Sequence, residues 1–105
     1  MKTTFTNNNK YSIETAHKYI KIDVPLHCTS SFIETQYEYI DNKRTGKITG
    51  YKLWFAQEGL NPFSVKFEKE PILPHFLSLV ELKELQGIEI RNNVYFKAET
   101  VKEVK

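Results

Sequence analysis

Alternation with a period of two constrains this chain more than any other feature. In "FSVKFEK", Phe63, Val65 and Phe67 share one side while Ser64, Lys66 and Glu68 share the other. That is the pattern of a strand buried on one face and solvated on the other. The same period runs through "YIKIDV", which sets Ile20, Ile22 and Val24 together before Pro25 stops it. In "FIETQYEYI", Ile33, Thr35, Tyr37 and Tyr39 alternate with Glu34, Gln36 and Glu38, so Tyr37 and Tyr39 are expected in the core beside Ile33.

Turn residues divide these runs. The Asp, Asn and Gly of "DNKRTG" join Ser31–Asp41 to Thr45–Gln57 as a hairpin, and "EGLNP" forms the next turn. "EPILPHFLSLVELKELQG" has Pro74 and Gly87 where a helix could start and stop, yet Phe76, Val80, Leu82 and Leu85 fall all round the helical wheel. A short helical turn near Pro74–Leu77 followed by a strand from about Leu79 fits better. The tail adds Ile88 and Ile90, an "NN" turn, and Val94, Phe96 and Ala98 alternating with Tyr95, Lys97 and Glu99. "TNNNK" reads as a flexible arm or turn, with residues 1–15 as the candidate arm. The sum is a mostly β chain, a single OB-like domain over residues 1–105. The expected form is a small barrel of five or six short strands, closed or partly open, with at most one short helix.

A length of 105 residues suits one domain, and thirteen Phe and Tyr supply a compact core. No segment approaches the roughly 18 apolar residues of a bilayer span, so no membrane partner is expected. The lone Cys28 cannot form an internal disulfide, which makes the cytoplasm the expected location. His27 and Cys28 are adjacent but His17 and His75 are distant, and no spacing matches a metal site. Neither a paired-carboxylate site nor a nucleophile elbow nor a glycine-rich phosphate loop is visible, so no enzyme and no cofactor are expected.

Charge is informative through its distribution. The net charge is +2, but residues 42–66 hold five cations against the single acid Glu58, a local +4 that leaves −2 for the rest. Within "KRTGKITGYKLWF" the apolar set Tyr51, Leu53 and Phe55 is expected to face the core, sending Lys52 and Trp54 outward. An outward indole beside an ammonium can stack a base and neutralise its phosphate. The same parity turns Lys66 outward on the next strand and Tyr95 and Lys97 outward on the last. Lys43, Arg44 and Lys47 sit at the hairpin tip as phosphate contacts.

The succession "GKITGYKLWF", "FSVKFEKE" and "LVELKELQGIEIRNNVYFKAETV", over residues 36–101, resembles the helix-destabilising single-stranded-DNA-binding proteins of filamentous phages. It is also similar to the small OB-fold proteins of Gram-positive conjugative elements and phages. The resemblance lies in strand order and pattern. It implies binding of single strands, DNA or RNA, without sequence specificity, by a homodimer or cooperative array in replication or transfer of a phage, plasmid or conjugative element. A second reading from another class is a small phage or plasmid protein that inhibits a host defence protein, using exposed aromatics as a protein hot spot.

The parity of "YKLWF" is open to a direct test. Phe55→Ala is expected to cost about 3–5 kcal/mol of stability, as truncation of a buried large aromatic does. Trp54→Ala is expected to cost less in the same urea titration, and the reverse order would invert the two faces.

Overall fold

The computed structural model describes residues 8–104. The chain is mostly β with one short helix. Its elements are β1 (Asn8–Ser12), α1 (Ile13–Tyr19), β2 (Leu26–Cys28), β3 (Glu34–Ile40), β4 (Lys43–Gln57), β5 (Phe63–Phe67), β6 (Leu79–Lys83), β7 (Gln86–Ile90), β8 (Asn93–Lys97) and β9 (Thr100–Glu103). They form a single sheet in the order β1-β7-β8-β5-β4-β2-β6-β9, with β3 also on β4. The sheet curls around its core without closing, because β1 and β9 end it unpaired with each other. Nine strands among the described residues therefore replace the five or six expected.

The organising strand is β4. Its fifteen residues pair with β5 along one edge through Tyr51–Phe55, and with β3 and then β2 along the other. Leu53 and Phe55 are fully buried, as are Val65 and Phe67 on β5. Phe63 meets Phe96 of β8 edge to face with 5.5 Å between ring centroids, and Phe55 lies 6.3 Å from Phe63. This geometry adds roughly 0.5–1.5 kcal/mol per pair beyond area burial. The β5–β8 pair is parallel, the only parallel pairing among the described strands.

Several expectations are corrected. Of the arm expected at residues 1–15, residues 8–12 form β1 and 13–15 begin α1, while 1–7 lie outside the described residues. Ser12 caps α1 by accepting from the Thr15 N–H at 3.1 Å, with Glu14 in the first turn and His17 and Lys18 in the last. The helix packs on β7 at Gly87, where a Cβ would stand 3.1 Å from the Ala16 nitrogen. Pro74–Leu77 makes a turn instead of a helix, with Leu77 at φ 67°.

"YIKIDV" is no strand either. Its backbone is satisfied by the buried side chain of Gln57, which donates to the carbonyls of Lys21 (2.7 Å) and Val24 (3.0 Å) and accepts from the Lys21 N–H (2.9 Å). Those polar groups need no sheet neighbour, and Ile22 stands 82% exposed instead of inward.

Tyr37 and Tyr39 do lie on the core side of β3 but run past the end of the core, so Tyr37 is half-buried and Tyr39 is 59% exposed. From Tyr39 to Thr49 every residue is exposed, and the β3–β4 hairpin projects as a two-stranded arm. Its two-residue turn, Asp41 and Asn42, has φ 52° and 65°, the left-handed pair that matches strand twist in a hairpin.

One buried carboxylate ties α1 to the sheet. Glu89 accepts from the Tyr19 hydroxyl and pairs with Lys18 at 3.1 Å. The Tyr19 hydrogen bond, then the Lys18 ammonium, hold its carboxyl below the ordinary glutamate value against the opposing effect of burial. A lowered folded value means that this contribution is complete above the unfolded value of about 4.3 and disappears as pH falls through the folded one. Glu89→Gln is therefore expected to flatten the loss of stability on acidification below about pH 5, measured as urea midpoints over a pH series. An unchanged acid slope would remove Glu89 from that role.

Candidate nucleic-acid interface

Parity and register together build the candidate site. On β4 the inward residues leave Lys52 and Trp54 on the outer face, and on β5 they leave Ser64 and Lys66. Antiparallel pairing sets Lys52 opposite Lys66 and Trp54 opposite Ser64. The parallel β5–β8 pair then sets Lys66 beside Lys97. Three lysines thus stand in one row across three neighbouring strands, which lie about 4.8 Å apart. Like charges placed directly opposite each other destabilise a sheet.

Beside this row lies a groove of about 1090 Å³, bounded by Lys52, Trp54, Lys66, Tyr95, Tyr11 and Asn93 among others. No aspartate or glutamate among the described residues lines it. Trp54 is 36% exposed, enough to offer an indole surface. Its ring carries the Lys52 ammonium 5.4 Å from the centroid, and the Tyr11 ring carries that of Lys97 at 4.5 Å. Burial, and then the neighbouring Tyr95, push the Tyr11 hydroxyl above its ordinary value, so it remains a neutral donor.

Lys66 is positioned by a close approach: a Cβ at Gly50 would lie 2.7 Å from its Cε and 3.0 Å from the Phe67 carbonyl oxygen. Any larger residue at position 50 would push the Lys66 stem or the β5 backbone aside.

Glu34 sits at the rim of the groove. Its carboxylate accepts from the Trp54 Nε1–H at 2.6 Å and approaches the Lys52 ammonium at 3.9 Å, opposite Lys52 in register. The indole is thereby fixed at its edge, with the Lys52 ammonium over its ring.

Of the residues expected from the sequence, the structure brings Lys52, Trp54, Lys66 and Tyr95 into one groove, while Lys97 lines a separate pocket with Glu68, Glu70 and Glu99 and meets the groove through its ammonium over the Tyr11 ring. Lys43, Arg44 and Lys47 lie apart on the exposed arm, where Arg44 stacks on Tyr37 with 4.3 Å to the ring centroid. Tyr11 and Glu34 were not anticipated. Tyr11 fell within the expected arm, and Glu34 looked like an ordinary solvated strand residue. Among the described residues no cluster of His, Cys, Asp and Glu could hold a metal ion, and no helix is long and apolar enough to cross a membrane.

Comparison of the chain with protein-family models, curated proteins and solved structures finds no match.

The lysine row carries a stability cost that can be measured. Lys66→Gln removes the middle charge and is expected to raise stability by about 0.2–1 kcal/mol at low salt. The gain should shrink as salt screens the row. A loss of stability, or a gain indifferent to salt, would show that the three ammonium groups do not repel one another in the free protein.

Proposed function

We propose that this chain binds single-stranded nucleic acid across β4, β5 and β8 without sequence specificity. The observation that carries the reading is the row Lys52, Lys66 and Lys97, met among the described residues only by Glu34 at 3.9 Å from Lys52, beside the groove that Trp54, Tyr95 and Tyr11 line. A polyanion reverses the sign of that row's cost, since phosphates supply the counter-charge that one glutamate does not. Aromatic faces accept any unstacked base, at about 1–3 kcal/mol per base, and a duplex offers none. The arm cations Lys43, Arg44 and Lys47 extend the phosphate track beyond the groove. The pattern shared with single-strand-binding proteins of phages and conjugative elements supports a role in replication or transfer of such an element, with DNA as the ligand.

Trp54 is the only tryptophan, so its emission reports the site directly. Titration with dT and dA oligomers is expected to quench it, a matched duplex much less. Affinity should fall with salt by about 0.7 logarithmic units per logarithmic unit of salt for each phosphate neutralised. Trp54→Ala, followed by anisotropy of a labelled oligomer, should lose about 1–3 kcal/mol of affinity with the salt slope retained. The triple replacement of Lys43, Arg44 and Lys47 by Ala should instead flatten that slope by about 2. No quenching by any oligonucleotide, together with co-purification of one host protein, would decide for the inhibitor reading.

A further inference from the structure

Every strand edge that the sheet leaves open invites pairing with another chain unless something blocks it. Among the described residues four such edges exist, and they differ. β9 has four residues with Lys102 and Glu103 among them, and β1 has five including Lys10. The outer part of β4 carries Lys43, Arg44 and Lys47. It is also bulged twice, since one step on β3 from Gln36 to Tyr37 spans two on β4, and two from Tyr37 to Tyr39 span four. Gly46 turns through φ 89° within the second bulge. Short length, charge and bulges are the devices that keep an edge single.

β3 is neither short nor bulged, and its only charges are the two acids Glu34 and Glu38. It runs seven residues, Glu34–Ile40, with no lysine, proline or inserted residue of its own. The hydroxyls of Thr49 and Thr45 donate to the carbonyls of Gln36 and Glu38 at 3.4 Å each, so those carbonyls face β4. Strand alternation then turns the N–H and C=O groups of Thr35, Tyr37 and Tyr39 toward the outer edge. Exposed Tyr39 and Ile40 lie on this strand, and Ile48 faces Tyr37 from β4.

We infer that β3 is a homodimer interface, pairing antiparallel with β3 of a second copy about a two-fold axis at Tyr37. The register follows from charge. With Tyr37 opposite the partner's Tyr37, Thr35 meets the partner's Tyr39, Gln36 meets the partner's Glu38 and Glu34 meets the partner's Ile40. The outward N–H and C=O groups of residues 35, 37 and 39 then bond across the axis, and the Gln36 amide can donate to the partner's Glu38. Sliding by two residues in one direction sets Glu38 against the partner's Glu38, and in the other sets Glu34 against the partner's Glu38. Of these three registers only the central one avoids acid facing acid, and larger slides leave fewer residues of β3 paired. A second copy is therefore the self-complementary occupant of this edge. Because the axis stands perpendicular to the extended sheet, both grooves open on the same face. The pairing stands independently of any nucleic-acid ligand.

Sedimentation of the free protein over a range of concentrations is expected to show a monomer–dimer equilibrium. Gln36→Glu should raise the dissociation constant about two- to thirty-fold at low salt, because it creates two acid–acid pairs per dimer. Register is read by cross-linking. Tyr37→Cys should form an intermolecular disulfide under mild oxidant, since the Cα atoms of a hydrogen-bonded antiparallel pair lie about 5.5 Å apart. Thr35→Cys should not, because it faces the partner's Tyr39, four residues from the partner's Thr35. Native Cys28 is fully buried and does not compete. A monomer at all concentrations, or equal cross-linking of the two variants, overturns the inference.

Discussion

Everything in this molecule hangs on the two-sidedness of β4. Its inward residues Leu53 and Phe55 are sealed among the phenylalanines of β5 and β8, and that burial holds the strand in a single phase. A slip of one residue would exchange the two faces, placing Lys52 and Trp54 in the interior and exposing two large apolar side chains. The strand residues of the candidate interface are thus secured by the core directly beneath them, while the loop Gly59, Leu60, Asn61 and Pro62 completes the groove wall. Because β4 is paired on both edges, the same strand also anchors the projecting hairpin and receives Gln57's clasp on the segment after α1.

The outer face shows the opposite economy. Three lysines stand in register there, like charges that a sheet is more stable without, beside an indole tethered by Glu34 and Lys66 passing close over Gly50. Locally unfavourable arrangements in an otherwise consistent structure tend to coincide with function. Among the described residues, no buried side-chain polar atom lacks a partner, so the tension is confined to the surface.

How much of this was legible depended on whether a local pattern had a local cause. The faces of β4, β5 and β8 followed from alternation, because each of these strands is buried on one side along the whole pairing. The segment after α1 alternates just as cleanly, yet its backbone is satisfied by Gln57, more than thirty positions away, and nothing local distinguishes the two cases. Tyr37 and Tyr39 show a different limit: alternation gives the side of a strand but not where the core beneath it ends. Helix α1 has seven residues, too few for a periodic signature, although Ser12 followed by Glu14 and then His17 and Lys18 was a usable capping signal. Individual lysines could be assigned outward from sequence. Their alignment into one row needed the parallel β5–β8 register, a relation between segments about thirty residues apart.

The hairpin beyond Gly50 has a dynamic consequence. From Tyr39 to Thr49 no residue is buried, so this ribbon is held by its own cross-strand bonds and contributes little to the global unfolding barrier. Its amides belong to the low free-energy end of local opening, while those of Leu53 and Phe55, on the same strand, open only with the whole molecule. One continuous strand therefore spans two regimes of motion. Its outer half is expected to open locally while its inner half stays closed with the core.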